Sequence, residues 1–551
     1  MEAGAAVRST GPQALAGLSP DLGWNHDNDW GGVRARGIAQ AAALVTGLTA
    51  GSAILGFLRD VVIAGVFGAG ASLDAYLVSQ GLMNLVLALI AGAMAKATVP
   101  VLAAQTAGEA GSSSKAGHTL SVVLTVTLLI LGLGSLIMAL AADVVVAVLA
   151  PGFAGSQAEL AAFLARIVLI ATVLIAGTNL LAAAAEAHRR FFWSGIQGIP
   201  FNLIMIGSAV WLGPRYGVTA LAVGFVAGSA ARLACQLVPL RALQLRLRAS
   251  LNVQDPGFRA IAALVPPLLL GSALGNVNTL VDRAVGSMVG EGTISSLGYA
   301  WRIIGLGETL LVASLLTALY PAFGAAAGAR DLAEMRRLVG RGLATVATVL
   351  LPVCGFLFVC AGPLVALLFQ HGSFGPRDTQ RTATAVLWYA PALVALGWRE
   401  LVVRASYALG DTRRPVLVAV VAMAVNVVGD LSLGLAFGIK GLAASTSLSL
   451  VCAALVNTWL LGTRHRAVDL KPLFGMVGRT ATAAAAGTAA GALVHRLLGP
   501  VVGQGMMAEL LLLSSVACAV LMIFVAGLYV LRAPERRLLG DAIDIVSPGR
   551  R

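Results

Sequence analysis

Three charged residues interrupt an apolar stretch near the start of the chain. Arg59 and Asp60 lie side by side towards the end of one apolar run, and Asp74 lies at the start of the next, after a turn containing Gly68 and Gly70. A guanidinium matches the oxygens of a phosphate or carboxylate in a bidentate way, and a carboxylate orients a neighbouring cation. These residue types at this spacing therefore predict an anion-binding site or an internal ion-pair network.

A stretch in the second half of the chain repeats this arrangement. Asp282 and Arg283 are followed by Gly290 and Gly292 at the same offsets at which two glycines follow Asp60. An even number of helices in each half would give both halves the same orientation in a membrane, as in transporters built from parallel repeats. The repetition predicts two related halves that enclose a central cavity.

The candidate binding residues are charged groups within apolar runs. A charge at the centre of a membrane span costs roughly 2.5–3.5 kcal/mol on insertion scales, so it usually faces a cavity or a partner. Arg59, Asp74 and Arg302 are expected to line the cavity, whereas for Glu400 and Arg404, four residues apart, a helical ion pair is an equal alternative. The predicted substrate-binding residues are Arg59, Asp60, Asp74, Lys96, Arg283 and Arg302.

The composition is typical of a polytopic membrane protein. Hydrophobic residues make up 58% and charged residues 11% of the 551 residues, and the mean hydropathy is +0.88. A soluble globule of this length needs more polar surface. Stretches of about 18 or more apolar residues, long enough to cross a bilayer, recur along the chain. We predict an all-α membrane protein with about fourteen transmembrane helices, near residues 38–58, 76–103, 119–142, 161–186, 197–212, 216–240, 260–285, 295–323, 343–368, 382–409, 415–437, 440–462, 477–498 and 509–531.

The distribution of basic residues predicts the orientation of these helices. Of the 38 Lys and Arg residues, 24 lie in segments that are cytoplasmic if the N-terminus is inside, and six lie in the opposite loops. Short cytoplasmic loops are enriched in Lys and Arg, so both termini are expected in the cytoplasm. A cytoplasmic collar facing anionic lipid accounts for the net charge of +13, and no nucleic-acid partner is required.

The helices and charges together predict five segments. Two lobes of six helices each come first, and a terminal helix pair follows outside the repeat. The segments are 1–36, a disordered cytoplasmic N-terminal segment; 37–240, the N-lobe; 241–462, the C-lobe; 463–531, the two terminal helices; and 532–551, a basic cytoplasmic tail.

Sequence motifs for catalysis are absent. The six histidines are widely separated, and the five cysteines lie in apolar runs without metal-ligand spacing, as small packing residues do. No nucleotide, metal or nucleophile motif is present. The sequence therefore predicts a protein that is not an enzyme and that uses no cofactor.

Short motifs spread in order over most of the chain resemble those of the MurJ/MviN family. That family belongs to the superfamily of multidrug, oligosaccharidyl-lipid and polysaccharide exporters. The motifs are S-x-x-L-G-F-x-R-D (Ser52 to Asp60), G-A-G-x-x-x-D-A (Gly68 to Ala75), N-L at Asn84, V-P-V-L (Val99 to Leu102), A-P-G-F (Ala150 to Phe153), D-R (Asp282, Arg283), Y-A-x-R (Tyr299 to Arg302), L-F-x-x-G-x-F (Leu368 to Phe374) and R-x-x-Y-A-L-x-D-T-x-x-P (Arg404 to Pro415).

The resemblance implies a function as well as a fold. It implies fourteen helices in two six-helix lobes plus a terminal pair, and flipping of lipid II, the undecaprenyl-pyrophosphate-linked peptidoglycan precursor, across the bacterial inner membrane. By motif, Arg59 and Arg302 would grip the pyrophosphate, and Asp74 would position one of them or contact the headgroup. The terminal helices would accommodate the prenyl tail. The implied partners are the lipid-linked substrate, the membrane and enzymes of cell-wall synthesis.

The second predicted helix departs from the family pattern. Where the family usually has a proline and an arginine pair, this chain has Met83, Leu87 and Ala88. Lys96 either restores a charge or extends to the membrane surface. Two alternatives therefore stay open, a flippase for another polyprenyl-linked oligosaccharide and a small-molecule or drug exporter of the same superfamily.

Overall fold

The protein is all-helical in the computed structural model, which describes residues 33–106, 112–188, 190–242, 247–502 and 505–534. No β-strand occurs in these ranges, so the predicted fold class is confirmed. Among the described residues, those from Leu48 onwards form one compact unit, and residues 33–47 belong to another. The predicted N-terminal segment and basic tail lie mostly outside the described residues.

The helices are labelled in chain order. The first half contains α1 (Val33–Phe67), α2 (Ala71–Thr106), α3 (Ser112–Leu140), α4 (Ala142–Leu149), α5 (Ser156–Val168), α6 (Ile170–Ala187), α7 (Phe191–Ile196), α8 (Gly198–Gly207), α9 (Gly213–Tyr216) and α10 (Thr219–Ala242). The remainder contains α11 (Pro256–Val289), α12 (Thr293–Gly307), α13 (Ala313–Gly328), α14 (Leu332–Phe369), α15 (Pro376–Ala408), α16 (Arg413–Gly429), α17 (Leu435–Phe437), α18 (Ile439–Arg464), α19 (Leu470–Leu498) and α20 (Met506–Val530).

The number of membrane spans differs from the prediction. Among the described residues, eleven helical segments are long and apolar enough to cross a membrane, so the count of fourteen is not confirmed. The other three predicted spans fall in α11, in α12 with α13, and in α19. These segments are helical but do not meet the same length and hydropathy criteria in the described residues.

Small residues explain why α19 is less apolar than a typical span. Its centre is rich in alanine and glycine, and a Cβ built on Gly487 would lie 2.6 Å from the carbonyl oxygen of Val520 in α20. A Cβ built on Gly491 would lie equally close to the Val520 side chain. This G-x-x-x-G spacing lets two helices approach closely in a bilayer, and α19 packs against α20 and α14.

Segments of π-helix occur at matching places in the two halves. One covers Ser208–Leu212 between α8 and α9, and another covers Asp430–Gly434 between α16 and α17. Each is followed by a glycine with positive φ, Gly217 at 57° and Gly438 at 65°. A π-turn interrupts the regular helical register and often marks a functional position. A third π-helical segment, Glu308–Val312 between α12 and α13, has no counterpart in α2, which is one α-helix from Ala71 to Thr106.

The two halves meet at the end of the molecule where α1 ends and α12 begins. Helix α2 packs along α11, and the backbone N–H of Ser373 donates to the carbonyl of Gly65 at 2.7 Å. Gly292 precedes α12 in a left-handed conformation with φ of 76°, and a Cβ there would lie 2.5 Å from the carbonyl oxygen of Ala69. Only glycine allows this close approach of the two halves.

Candidate functional site

A cavity of about 920 Å³ lies between the two halves. Four of the predicted site residues line it, namely Arg59, Asp60, Arg283 and Arg302. The first two come from α1, and the other two come from α11 and α12. The fold therefore brings together charged residues that are more than 200 positions apart in the chain, as expected for a cavity between two lobes.

Asp60 connects two arginines across the cavity. Its Oδ1 accepts hydrogen bonds from Nε and Nη2 of Arg59 at 3.0 and 2.7 Å, and its Oδ2 lies 2.9 Å from Nε of Arg302. One carboxylate thus balances two guanidinium groups, which leaves this trio with a net positive charge. An anion in the cavity would meet two oriented cations whose geometry is already set.

Arg59 and Arg302 differ in how freely they can reach a ligand. The Arg59 side chain is 14% exposed, and its Nη1 also donates to Oδ1 of Asn202 at 3.0 Å. The Arg302 side chain is 59% exposed and has Asp60 as its only ion-pair partner among the described residues. Arg302 therefore has its remaining N–H donors available, whereas Arg59 is largely held by its neighbours.

Arg283 links the halves in a different way. Its Nη1 donates to the backbone carbonyl of Leu77 in α2 at 2.6 Å. The built Cβ position of Gly81, one turn further along α2, lies against the same guanidinium. Glycine at this position thus leaves room for the arginine, which lines the cavity and anchors α11 to α2.

The neighbouring Asp282 belongs to a cluster of polar side chains in the second half. The Nδ2 of Asn426 donates to Oδ1 of Asp282 at 2.9 Å and to Oδ2 of Asp430 at 2.8 Å, so one amide group bridges the two carboxyl groups. Ser445 donates to Asp430, and Ser449 donates to Oδ1 of Asn426 at 3.2 Å. The cluster therefore links α11 to the segment that follows α16.

A search for charged residues alone does not reveal this cluster. Asn426, Ser445 and Ser449 are uncharged polar residues, which are common in membrane-spanning helices and do not stand out in an apolar run. The available signal is the spacing of Asn426 and Asp430, four residues apart on one helical face directly before a π-helical segment. Within the described residues, no three His, Cys, Asp or Glu residues come together as a metal site.

Asp74 occupies the junction of the halves and is not among the described residues that line the cavity. The residue is 1% exposed. Its Oδ2 accepts the backbone N–H of Gly292, and its Oδ1 accepts that of Ser295, both at 2.7 Å. A carboxylate from α2 thus caps the N-terminus of α12, where the helix dipole favours a negative charge. This places Asp74 where it holds the two halves together.

The remaining predicted charges, Lys96, Glu400 and Arg404, differ in their position relative to the cavity. Lys96 is exposed on α2 and is not among the cavity-lining residues that the structure describes. Arg399 and Glu400 line the cavity and pair with each other at 2.8 Å, and Arg404 lies 4.0 Å from Glu400. The ion-pair and cavity-lining alternatives both apply to Glu400.

A polar cluster joins the loop between α15 and α16 to the residue that follows α18. Oδ2 of Asp411, between α15 and α16, accepts a hydrogen bond from Nη1 of Arg414 at 2.7 Å and lies 2.8 Å from Nε2 of His465. Burial opposes ionisation of Asp411, but the hydrogen bonds from His465 and Arg414 outweigh it and lower its pKa to about 2. The Asp411 carboxylate therefore stabilises the folded loops.

Asp411→Asn is expected to lower the melting temperature of the purified protein at pH 7 by about 1–3 °C, because Arg414 and His465 lose an ionised partner. A carboxylate with a depressed pKa contributes fully above its ordinary value near 3.8, and this contribution is lost only as the pH falls through about 2. Thermal unfolding between pH 5 and pH 8 should show the difference between wild type and variant undiminished. A difference that shrinks on acidification from pH 7 to pH 5 would contradict this assignment.

Comparisons with known proteins agree on one family. Residues 63–513 match the family model described as lipid II flippase MurJ. The chain is 28% identical over 453 residues to a protein of Vibrio cholerae described as a probable lipid II flippase MurJ, covering 80% of this chain and 85% of the relative.

Solved structures show the same fold. One described as lipid II flippase MurJ in an inward closed conformation superposes with a TM-score of 0.73 at 21% identity, covering 88% of this chain and 99% of that one. An inward-facing multidrug resistance MATE family transporter of the MOP superfamily gives a TM-score of 0.61 at 16% identity, covering 76% and 96%.

Proposed function

The chain belongs to the lipid II flippase MurJ family, and from this membership we propose that it moves lipid II from the inner to the outer leaflet of the bacterial inner membrane. It is a multi-pass protein of that membrane, as its apolar helices and its relatives indicate. The family is one of transporters. No chemical step on the lipid is needed for the proposed activity.

The observation that carries the proposal is the exposed guanidinium of Arg302 in the cavity. Lipid II carries a pyrophosphate between its prenyl tail and its glycan. Arg302 and Arg59 share the single carboxylate of Asp60, so the site holds excess positive charge. A guanidinium binds phosphate oxygens through parallel N–H donors.

Transport in this proposal follows alternating access between the two halves. The junction near Gly292 closes one end of the cavity, and the predicted orientation of the helices places that end outside the cell. Opening to the outside requires the Asp74 carboxylate to release Gly292 and Ser295, while Arg283 releases Leu77. Asp60 bridges α1 and α12, so a bound pyrophosphate competes with it for Arg302 and weakens one link between the halves.

The prenyl tail needs an apolar surface that is open to lipid. Helices α19 and α20 pack on α14 and expose large apolar side chains, including Met522 and Val530. A polyprenyl chain in contact with these side chains stays in a hydrocarbon environment while the headgroup crosses. We propose that this pair of helices supports the tail.

Expression of this chain in a strain depleted of its own MurJ should restore wall synthesis and growth. The positive control is the Vibrio cholerae relative expressed from the same vector, and the negative control is the empty vector. Membrane insertion is checked by immunoblot of the membrane fraction. Failure to rescue by inserted protein would count against lipid II and in favour of another polyprenyl-linked glycan.

A further inference from the structure

Arg232 in α10 belongs to none of the sequence motifs and is not among the described residues that line the cavity. No carboxylate lies within ion-pair distance of it in the described part of the chain. Its Nε is buried and has no hydrogen-bond partner among the described residues. A guanidinium inside a membrane protein usually has a partner or faces a functional cavity, so this one requires an explanation.

The position of Arg232 on α10 directs it towards the protein interior. Phe225, Ser229, Arg232 and Gln236 follow one another at spacings of three and four residues, which places them on one face of the helix. Ser229 and Gln236 are fully buried, and Phe225 lines the cavity. The face that carries Arg232 is therefore the one turned away from lipid.

Phe201 in α8 brings Arg232 close to Arg59. Gly228, one turn before Arg232, lets the Phe201 ring approach α10, since a Cβ there would lie 2.9 Å from Cδ2 of Phe201. The Cζ of Arg232 lies 5.4 Å from the ring centroid, and the Cζ of Arg59 lies 5.7 Å from the same centroid. Two guanidinium groups thus lie within about 6 Å of the centre of one aromatic ring, whose π electrons attract each of them.

The charges around this ring do not balance. Asp60 is the only carboxylate that pairs with Arg59 or Arg302 among the described residues, and it serves both arginines. Arg232 adds a third positive charge beside Arg59 without adding a negative one. Two cations held close to each other repel, and an anion bound between them removes that repulsion.

We propose that Arg232 and Arg59 form a second phosphate site, separate from that of Arg302, so that the two phosphoryl groups of a prenyl diphosphate are bound by different arginines. Phe201 forms the platform that holds the two guanidinium groups. Arg232 is then the residue that distinguishes a diphosphate from a monophosphate headgroup. This inference rests on the proposed function, because it assigns one part of the same substrate.

Binding of two defined lipids tests the assignment. The purified full-length protein in detergent is titrated with undecaprenyl diphosphate and with undecaprenyl monophosphate, and the dissociation constants are measured by native mass spectrometry. In Arg232→Gln, the constant for the diphosphate should rise about tenfold, because a charge-assisted contact is lost, while that for the monophosphate stays within about twofold. The matched control is Arg166→Gln, which removes an arginine paired with Asp143 on the exposed surface and should change neither constant.

The outcomes separate this inference from the proposed function. Wild-type protein that binds neither lipid would overturn both. If the wild type prefers the diphosphate and Arg232→Gln has the same dissociation constants as the wild type, the second phosphate site alone is overturned. The same holds if Arg232→Gln loses affinity equally for both lipids. If Arg232→Gln fails to fold, Arg232→Lys is measured in its place, because it keeps the charge but loses the planar guanidinium. Undiminished affinity of that variant for the diphosphate would also count against the site.

Discussion

Arg302→Ala is expected to lower the rate of lipid II flipping by about a hundredfold while the protein still inserts into the membrane. The variant loses the cavity arginine with the most exposed side chain, 59%, and with it two or more charge-assisted hydrogen bonds to the pyrophosphate. Appearance of lipid II in the outer leaflet, detected by an impermeant reagent on intact vesicles, measures the effect.

Three further variants complete this experiment. Arg302→Lys keeps the charge but not the fork and should retain part of the activity. Arg166→Ala removes an exposed arginine away from the cavity and should flip normally. Arg59→Ala should also abolish flipping, because Asp60 then loses the arginine that orients it. Normal rates in both Arg59→Ala and Arg302→Ala would refute the site.

Asp74→Asn is expected to loosen the junction between the halves. In the wild type, the carboxylate accepts hydrogen bonds from the backbone N–H groups of Gly292 and Ser295. The asparagine keeps the shape of the side chain, but its amide nitrogen, which is a donor, must face one of these two N–H groups. A buried, charge-assisted contact is lost, so hydrogen exchange of these amides should accelerate about 10- to 100-fold, and flipping should slow by about tenfold or more. Hydrogen exchange with mass spectrometry of the segment around Gly292 measures the first effect.

Asp331→Asn is the matched control for this prediction. Asp331 also caps a helix, α14, but accepts the N–H of Glu334 within the same half and is exposed. Asparagine is a good N-cap, so little change is expected there. Equal protection of the Gly292 segment in wild type and Asp74→Asn would show that the carboxylate does not hold the junction.

Sequence reasoning located four of the six predicted site residues in the cavity, because charges in apolar runs are few and costly. It could not separate Asp74 from Arg302, since both are charges near the ends of apolar runs. The structure assigns Asp74 to a helix N-terminus in the other half and leaves Lys96 exposed outside the cavity. The roles of all six residues in binding the substrate stay predictions.

The acidic cluster shows a different limit of sequence reasoning. Asp282 and Asp430 are both charged residues within apolar runs, but they are far apart in the chain, and Asn426 carries no charge. Their connection through Asn426 depends on the packing of α11 against α16 and on the π-turn that begins at Asp430. Neither feature has a reliable periodic signature.

Hydropathy and motif order were enough to establish an all-helical membrane protein and its family, because the bilayer imposes a minimum length on apolar helices and a high cost on charges. Packing of the helices settled which charges meet. Asp60 bridges Arg59 and Arg302, and Phe201 brings Arg232 beside Arg59, only because α1, α8, α10 and α12 converge. Such contacts act over a few ångströms between residues that can be hundreds of positions apart, so they depend on the complete fold and leave no local pattern in the chain.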